Sequence, residues 1–336
     1  MRVGLRAFAA ALLVFFMAVP SQAETVKVGI TKLLGYPGVP IGVARGYFKA
    51  VGLDVEMVYF DSAQPIAVGV ASGGIDFGVC GLSASFYTLA SQGELKLIAS
   101  SGGEHPGFHN LVFLASPKSF DAGVTSPQDL RGRSVAITQL GTSLEYALGR
   151  AAEKFGYPMS AVTLRPLQSN TNVMAALAGN QVDAAVMPGS PALPGIEKGA
   201  AKLIGWASDV APDFTTGSAL VTRTATANDK ADLVKRFLVA YRHGMLDFHN
   251  AFVSADGTPT AGPDQPNVLK IMSDFTHIAP DQLLKVVPYV DGEGRISTAD
   301  IARQMAWYRS QNLLRGDAKA EALIDSRYAL PLVASR

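Results

Sequence analysis

Short strand-like runs alternate with helical patterns along the first two thirds of this chain, and this alternation restricts the fold more than any other feature. Apolar residues at every second position indicate strands, and apolar residues three or four positions apart indicate helices. Because strand-like and helical runs alternate along the chain, the sequence predicts an α/β fold, with a mostly parallel sheet covered by helices on both faces. The predicted strands cover residues 26–30, 53–58, 75–79, 95–99, 111–115, 134–138, 162–167, 183–187, 202–206 and 219–223.

The helical patterns of this part lie between the strands and cover residues 65–72, 82–90, 144–155 and 172–178. Ile41, Ala44, Tyr47 and Phe48 share one further helical face between the first two strands. The last third contains only helical patterns, at residues 229–252, 265–275 and 298–314, with Ser297 or Thr298 as the N-cap of the last one. Because no strands accompany them, we expect these helices to pack onto a lobe that is already built.

The β/α pattern restarts after the polar stretch 116–128, which favours two halves of similar build. Residues 70–79 and 176–186 show the same order of helix end, glycine turn, aspartate and buried strand, with one extra residue in the second copy. An internal repeat would produce this echo. Chance would also produce it, because turns often use glycine and aspartate.

Glycine and small hydroxyl residues follow the buried strand in each half. Gly81 to Ser85 does so in the first half, and Gln139 to Ser143 does so in the second, each directly before a helix. Ligands of open α/β sheets bind beyond the carboxyl ends of the strands, and a helix N-terminus attracts anions through its free N–H groups. The sequence therefore predicts that two helix N-termini face each other around a small anion. The alternative is that Ser83 and Thr142 or Ser143 are ordinary N-caps.

Residues 1–23 have the pattern of a cleaved export signal. Two arginines are followed by an unbroken apolar run over residues 7–19 and by small residues at Ser21 and Ala23. The apolar run is shorter than the roughly 20 residues that a spanning helix needs. We expect cleavage after Ala23 and a periplasmic location. The alternative is an uncleaved N-terminal anchor.

Charge and cysteine content narrow the class of protein further. The chain has 336 residues and a net charge of +1, which becomes −1 when Arg2 and Arg6 leave with the signal. A nearly neutral chain lacks the global field that nucleic acid or an anionic membrane would require, so we expect neither as a partner. Cys80 is the single cysteine, which excludes an internal disulfide, and its apolar neighbours favour a buried thiol.

Catalytic and metal-binding patterns are weak in this sequence. His105 and His109 lie four residues apart, but the glycines and proline around them prevent the helix that would put both on one face. His243 and His249 fall on different faces of a predicted helix. No nucleophile elbow, phosphate-binding loop or dinucleotide fingerprint follows a strand. We therefore expect no catalytic residue, no metal and no cofactor.

Several motifs in a fixed order resemble those of the periplasmic solute-binding proteins of ABC importers. The similar branch is the one for nitrate, aliphatic sulfonates, taurine and thiamine precursors. The resemblance covers about residues 25–250. The motifs are Val26-Lys-Val-Gly-Ile30, Gly46-Tyr-Phe48 with Gly52-Leu-Asp-Val55, Ser72-Gly-Gly-Ile-Asp76, Leu130-Arg-Gly132, Gly141-Thr-Ser143 and Gln181-Val-Asp183.

The resemblance implies a type II periplasmic binding protein, with two α/β lobes, a ligand cleft between them and two crossover strands. The crossovers are placed near residues 111–115 and 219–223. Lobe one would hold residues 24–113 and 222–336, and lobe two residues 114–221. The ligand-binding residues that the resemblance implies, together with His109 from the loop before the first crossover, are Thr31, Lys32, Tyr36, Ser83, Ser85, His109, Gly141, Thr142, Ser143, Asn170, Pro188, Ser190 and Phe214.

Two departures from the family pattern bear on the ligand. Gly81-Leu-Ser-Ala84 stands where relatives often have Gly-Ser-x-Pro, and Met187 stands before Pro188 where many have tryptophan. The missing tryptophan leaves room for an anion larger than nitrate or taurine, such as an aromatic or branched carboxylate or sulfonate.

The function that the resemblance implies is the capture of a small organic anion and its delivery to an inner-membrane permease, by a monomeric protein that is not an enzyme. One alternative is a periplasmic sensor that reports the ligand to a receptor. The other is an enzyme similar to thiamine-pyrimidine synthases, which rely on a cysteine-rich segment in the cytosol. The export signal and the lone Cys80 argue against that enzyme.

Overall fold

The computed structural model describes residues 23–332, so the predicted export signal lies outside the described residues except for Ala23. The strands are β1 (Glu24–Ile30), β2 (Leu53–Tyr59), β3 (Phe77–Gly81), β4 (Leu95–Ser100), β5 (Gly102–Gly103), β6 (Leu111–Ala115), β7 (Ser134–Ile137), β8 (Thr163–Pro166), β9 (Ala184–Pro188), β10 (Lys202–Trp206), β11 (Ser218–Arg223) and β12 (Tyr289–Val290).

The helices cover the sheets and fill the C-terminal third. They are α1 (Gly38–Ala44), α2 (Tyr47–Ala50), α3 (Ala63–Ala71), α4 (Ala84–Ser91), α5 (Pro117–Asp121), α6 (Ser143–Phe155), α7 (Asn170–Ala178), α8 (Gly189–Glu197), α9 (Ala207–Val210), α10 (Thr224–Asp229), α11 (Ala231–Phe252), α12 (Gln265–Thr276), α13 (Pro280–Leu283), α14 (Thr298–Ser310) and α15 (Ala320–Leu323). Short 3-10 turns lie at Pro127–Leu130, Met159–Ala161 and Leu284–Val286.

The strands form two five-stranded sheets of the same design. The strand order is β2-β1-β3-β11-β4 in the first sheet and β8-β7-β9-β6-β10 in the second. In each sheet the first three strands are parallel, and the fourth runs antiparallel to both of its neighbours. The sheets are therefore mixed but mostly parallel, as predicted, because four of the five strands in each run in the same direction and only the inserted strand runs against them.

The two inserted strands come from the two predicted crossover segments. β11 follows the second sheet in the chain but lies in the first sheet, and β6 precedes β7 but lies in the second sheet. The echoing segments at residues 70–79 and 176–186 lead into β3 and β9, which hold the same central place in their sheets. A repeated fold accounts for the echo in the sequence.

Buried apolar side chains fill the space between each sheet and its helices. β3, β6 and β9 carry mostly buried residues because helices cover both faces of the central strands. The long helix α11 packs on the first sheet, where Phe237 stacks on Phe77 with 3.9 Å between the ring centroids. Among the described residues, no helix is long and apolar enough to cross a membrane.

Two local differences from the predicted helices have physical causes. The single helical face expected through Ile41 and Phe48 is divided between α1 and α2, because Gly46 adopts a left-handed conformation with φ of 73°. The helix α8, which contains Pro194, was not predicted, because proline usually ends a helix. The predicted N-cap at Ser297 is confirmed, since its Oγ accepts a hydrogen bond from the N–H of Asp300.

Helix α14 of the C-terminal third contacts helices from both halves, although we expected this helical third to pack onto one lobe. Tyr87 of α4 donates a hydrogen bond of 2.8 Å to Gln304 Oε1. On the other side, the ring of Trp307 meets the ring of Tyr146 of α6 edge-on, with 5.4 Å between the centroids. α14 therefore joins the two sheets away from the crossover strands.

Candidate functional site

A cavity of about 60 Å³ lies between the two sheets and is open to solvent. The loops after β1, β2 and β3 line it from the first sheet, and the loops after β7, β8 and β9 line it from the second. The lining residues are Thr31, Leu33, Gly35, Tyr36, Asp61, Ser62, Ala63, Gly81, Asn110, Leu111, Thr138, Thr142, Ser143, Leu144, Asn170, Pro188, Gly217 and Ser218. The cavity therefore lies where the carboxyl ends of the parallel strands meet.

Six of the residues implied by the family resemblance are brought together around this cavity. They are Thr31, Tyr36, Thr142, Ser143, Asn170 and Pro188. Four of them carry a hydroxyl group, which can donate a hydrogen bond to a ligand or accept one from it. Their role in binding stays a prediction. Burial raises the pKa of the Tyr36 phenol, so this side chain is a neutral hydroxyl at neutral pH.

Four of the remaining implied residues are engaged in contacts on the first-sheet side or in the core, outside the cavity lining. Lys32 Nζ lies 2.8 Å from His277 Nε2 and above the Tyr59 ring. Ser83 caps α4, and Ser85 Oγ lies 2.9 Å from Ser83 Oγ. The ring of Phe214 is buried against Tyr146, with 4.8 Å between the ring centroids.

The last three implied residues, His109, Gly141 and Ser190, lie near the second sheet and are also absent from the cavity lining. The imidazole of His109 stacks on Trp206, with 4.2 Å between the ring centroids. Gly141 and Ser190 contact the first half directly, since Gly141 O accepts from Ala84 N–H and Ser190 Oγ accepts from Leu34 N–H. These residues hold the cavity walls in place rather than facing its interior.

The N-terminus of α6 is open toward the cavity. Its N-cap Thr142 does not cap the helix, because the Thr142 hydroxyl donates instead to Gln139 O at 2.9 Å. The N–H groups of Ser143 and Leu144 have no acceptor among the described residues, and both residues line the cavity. These two N–H groups and the partial positive charge of the helix end could bind an anion, although the Glu145 carboxylate lies in the same first turn and already accepts from Gly141 N–H.

The N-terminus of α4 is satisfied by the protein itself. Ser83 Oγ accepts from Phe86 N–H at 3.2 Å, and Gly141 O accepts from Ala84 N–H at 2.8 Å. The two helix ends do converge, as expected, but they meet each other directly. In this structure Gly141 O of the opposite half occupies the position at α4 where an anion was expected, so ligand binding at α4 stays a prediction.

Hydrogen bonds across the mouth of the cavity join the two halves. Ala84 N–H donates to Gly141 O, Leu34 N–H donates to Ser190 Oγ at 3.4 Å, and Gln64 Nε2 donates to Leu140 O at 2.7 Å. The structure therefore shows the two halves in contact around the cavity.

Asp61 carries the only formal charge among the residues that line the cavity in the described chain. Its carboxylate lies in the loop after β2 and is exposed at the cavity mouth. No hydrogen bond or ion pair engages it within residues 23–332. The residue was not predicted, although the rule that ligands bind beyond strand ends applies to β2 as it does to β1 and β3. The same rule would have found Thr138 after β7.

Glu104 lies behind the cavity wall and is fully buried. Its Oε1 accepts from Leu111 N–H at 3.1 Å, and its Oε2 has no partner among the described residues. Burial is the main cause that raises the pKa of Glu104 from 4.5 to about 8. The Glu104 carboxyl therefore supports Leu111 of the cavity wall.

No set of His, Cys, Asp and Glu residues within 23–332 is placed to hold a metal ion. Cys80 is buried, does not line the cavity, and has its pKa raised to about 12 by burial. Its thiol is therefore protonated and shielded from solvent at neutral pH.

Comparison with known proteins agrees with this geometry. A sequence comparison with curated proteins gives no match. Similar solved structures include the alkanesulfonate-binding protein SsuA from Xanthomonas axonopodis pv. citri bound to MOPS, with a TM-score of 0.71, 18% identity, and coverage of 90% of this chain and 98% of that one. The periplasmic aliphatic sulphonate binding protein SsuA from Escherichia coli has a TM-score of 0.69, 16% identity, and coverage of 91% and 98%.

The periplasmic nitrate-binding protein NrtA from Synechocystis PCC 6803 has a TM-score of 0.62, 14% identity, and coverage of 78% of this chain and 69% of that one. At these identities the similarity establishes the fold, and the predicted fold of a periplasmic binding protein is confirmed. The model of the family described as "NMT1/THI5 like" matches residues 37–251, more than half of the chain. The chain therefore belongs to the NMT1/THI5-like family.

Proposed function

We propose that this protein is the extracytoplasmic solute-binding subunit of an ABC importer, which captures a small organic anion between two lobes and delivers it to an inner-membrane permease. The observation that carries the proposal is the open N-terminus of α6, which faces a cavity between two α/β halves. Solved structures with this fold include proteins that bind sulfonates and nitrate. We also propose that the protein is monomeric, lies in the periplasm and binds no nucleic acid.

The proposed lobes are residues 24–113 with 222–336, and residues 114–221, so that each boundary falls inside a crossover strand. Because β6 pairs in the second sheet and β11 in the first, the chain passes between the sheets just before each of these strands, and a hinge motion there would open and close the cavity. In the proposed cycle, the ligand binds to an open form and the cross-cavity hydrogen bonds form on closure. The closed form is then the one that docks on the permease.

The residues that line the cavity favour an anion with an apolar body. Leu33, Tyr36, Leu111 and Leu144 supply apolar wall area, and the hydroxyls of Thr31, Thr138 and Ser143 supply polar positions. A carboxylate or sulfonate group would accept hydrogen bonds from the N–H groups of Ser143 and Leu144. The adjacent walls would hold an aromatic or branched body.

A pair of aspartate substitutions tests the anion position. Ser143→Asp places a carboxylate in the first turn of α6, where it stabilises the helix but fills the anion position. We expect this variant to bind anions about 100-fold more weakly, because like charges in contact cost several kcal/mol. Ser85→Asp places the same charge in the first turn of α4, outside the cavity lining, and is expected to bind as the wild type does.

Native mass spectrometry of the purified protein and a melting-temperature screen first identify compounds that bind. Isothermal titration with aromatic and aliphatic sulfonates and carboxylates then measures the affinity of each variant. Stabilisation only by cations or sugars would contradict the proposal. So would anion binding that Ser143→Asp leaves unchanged. Recovery of the bound anion without chemical change is expected of a non-catalytic protein.

A further inference from the structure

The cavity contains one charged side chain, and its sign is opposite to that expected for a site that binds anions alone. Asp61 lines the cavity mouth, and no lysine, arginine or histidine does so among the described residues. The nearest candidate in the sequence, Lys32, is held against His277 and the Tyr59 ring. An anionic ligand at α6 would therefore share the cavity with an uncompensated carboxylate.

A second acceptor in the same cavity also lacks a donor. Asn170 lines the cavity at the start of α7, and its Oδ1 is buried with no hydrogen-bond partner among the described residues. A buried acceptor without a donor is costly, so a ligand that supplies an N–H or O–H group would gain from it. Asp61 and Asn170 together indicate that the ligand brings hydrogen-bond donors as well as an anionic group.

The two kinds of recognition come from opposite halves of the molecule. Asp61 belongs to the loop after β2 in the first sheet, and the open end of α6 belongs to the second sheet. A ligand with a positive end and a negative end would pair with both halves at once. Such a ligand would stabilise the contact between the halves more than a simple anion does, because a simple anion would be repelled by Asp61.

We propose that the physiological ligand is a small zwitterion, whose carboxylate or sulfonate binds the N-terminus of α6 and whose protonated nitrogen pairs with Asp61. This inference rests on the proposed function, since it uses the same cavity and the same anion position. Asp61 is the residue that selects amino-bearing ligands over plain anions of the same size.

Matched pairs of compounds test this selection. The pairs are benzoate with 4-(aminomethyl)benzoate, and propane-1-sulfonate with 3-aminopropane-1-sulfonate, each titrated at pH 7. We expect the amino-bearing member to bind about two- to fivefold more tightly, the range for a partly exposed ion pair. Asp61→Asn should abolish this preference and bind the plain anions as tightly as, or more tightly than, the wild type.

Asp54→Asn is the matched control, because Asp54 is an exposed acid on β2 that does not line the cavity. It should keep the wild-type preference. Equal binding of both members by the wild type, or a preference that survives Asp61→Asn, overturns the inference but leaves the proposed function standing. Binding of benzylamine and propylamine with no binding of any anion overturns both. Failure of all these probes to bind overturns both as well.

Discussion

Gly81 ends β3 at the point where the two halves come closest around the cavity. A Cβ atom at this position would lie 2.8 Å from Ser143 Oγ, which belongs to the opposite half. The absence of a side chain at Gly81 therefore lets the Ser143 hydroxyl keep its place at the end of α6.

We expect Gly81→Ala to weaken anion binding by about tenfold, because the added methyl group overpacks the cavity and displaces Ser143 Oγ. The free energy of unfolding should change little, since the affected atom is the movable end of a side chain. Isothermal titration measures the binding. Ser143→Gly in the Gly81→Ala background should restore part of the affinity, and unchanged binding by Gly81→Ala alone would show that the cavity does not close at this point.

Glu104 makes the stability depend on pH. Its pKa is 4.5 in the unfolded chain and about 8 in the folded one, so the folded protein retains a proton that the unfolded chain loses between these values. The free energy of unfolding should therefore fall as the pH rises from about 4.5 to about 8, by at most about 1.4 kcal/mol per pH unit from this group. Asp300 contributes in the same direction up to about pH 6.

Glu104→Gln is expected to reduce this pH dependence. The amide cannot ionise but keeps an oxygen that can accept from Leu111 N–H. Urea denaturation at pH 5 should give similar stabilities for the two proteins, and at pH 8 the variant should be the more stable one. Asp300 is present in both, so the difference isolates Glu104. Parallel stability curves for the two proteins would contradict the raised pKa.

At the scale of elements, the packing of α6 on α14 depends on Gly149. A Cβ atom at this position would lie 2.2 Å from the Trp307 ring, so the close approach of the two helices requires glycine. The same helix α14 bonds to α4 through Gln304 and Tyr87. The contact at Gly149 therefore helps to set the angle between the two halves.

We expect Gly149→Ala to destabilise the protein by about 1–3 kcal/mol, because the indole must move out of a packed position. The measurement is urea denaturation followed by circular dichroism. Trp307→Phe removes the ring atoms that the new methyl group would meet, so Gly149→Ala should cost much less in that background. Equal costs in the two backgrounds would rule out the indole as the cause.

At the scale of the whole molecule, two similar halves enclose a shared cavity, and we expect their contact to be coupled to ligand binding. The cross-cavity hydrogen bonds of Ala84, Leu34 and Gln64 can form only when the halves are together. A ligand that touches both halves favours this arrangement by its differential affinity for it.

We expect a bound anion at 100 times its dissociation constant to stabilise the protein by about 2.7 kcal/mol. The radius of gyration in solution should decrease at the same ligand concentration, because the halves close on the ligand. Small-angle scattering and urea denaturation measure the two effects. Ser143→Asp should show neither, whereas stabilisation without any change in the radius would show that the halves are already closed in the free protein.

The sequence by itself determined the fold and most of the longer elements, but not the short ones such as β5, β12 and α15. Strand and helix patterns depend on short-range periodicity and on local caps such as Ser297, and these are visible in a stretch of about ten residues. Misses occurred where a local signal was ambiguous, as at Gly46 and at the proline-containing helix α8. The order of the motifs was enough to identify the family, because the repeated β/α units have characteristic turns.

Only the tertiary structure decided which of these turns face the cavity. Ser83 and Thr142 look alike in the sequence, because each directly precedes a helix. In the structure Gly141 O of the opposite half accepts from Ala84 N–H of α4, whereas the first N–H groups of α6 have no such acceptor among the described residues. Asp61 and Ser218 join the lining from segments far apart in the chain. The physical reason is that hydrogen-bond satisfaction and cavity shape depend on partners brought together by the packing of the two sheets, and no local pattern encodes them.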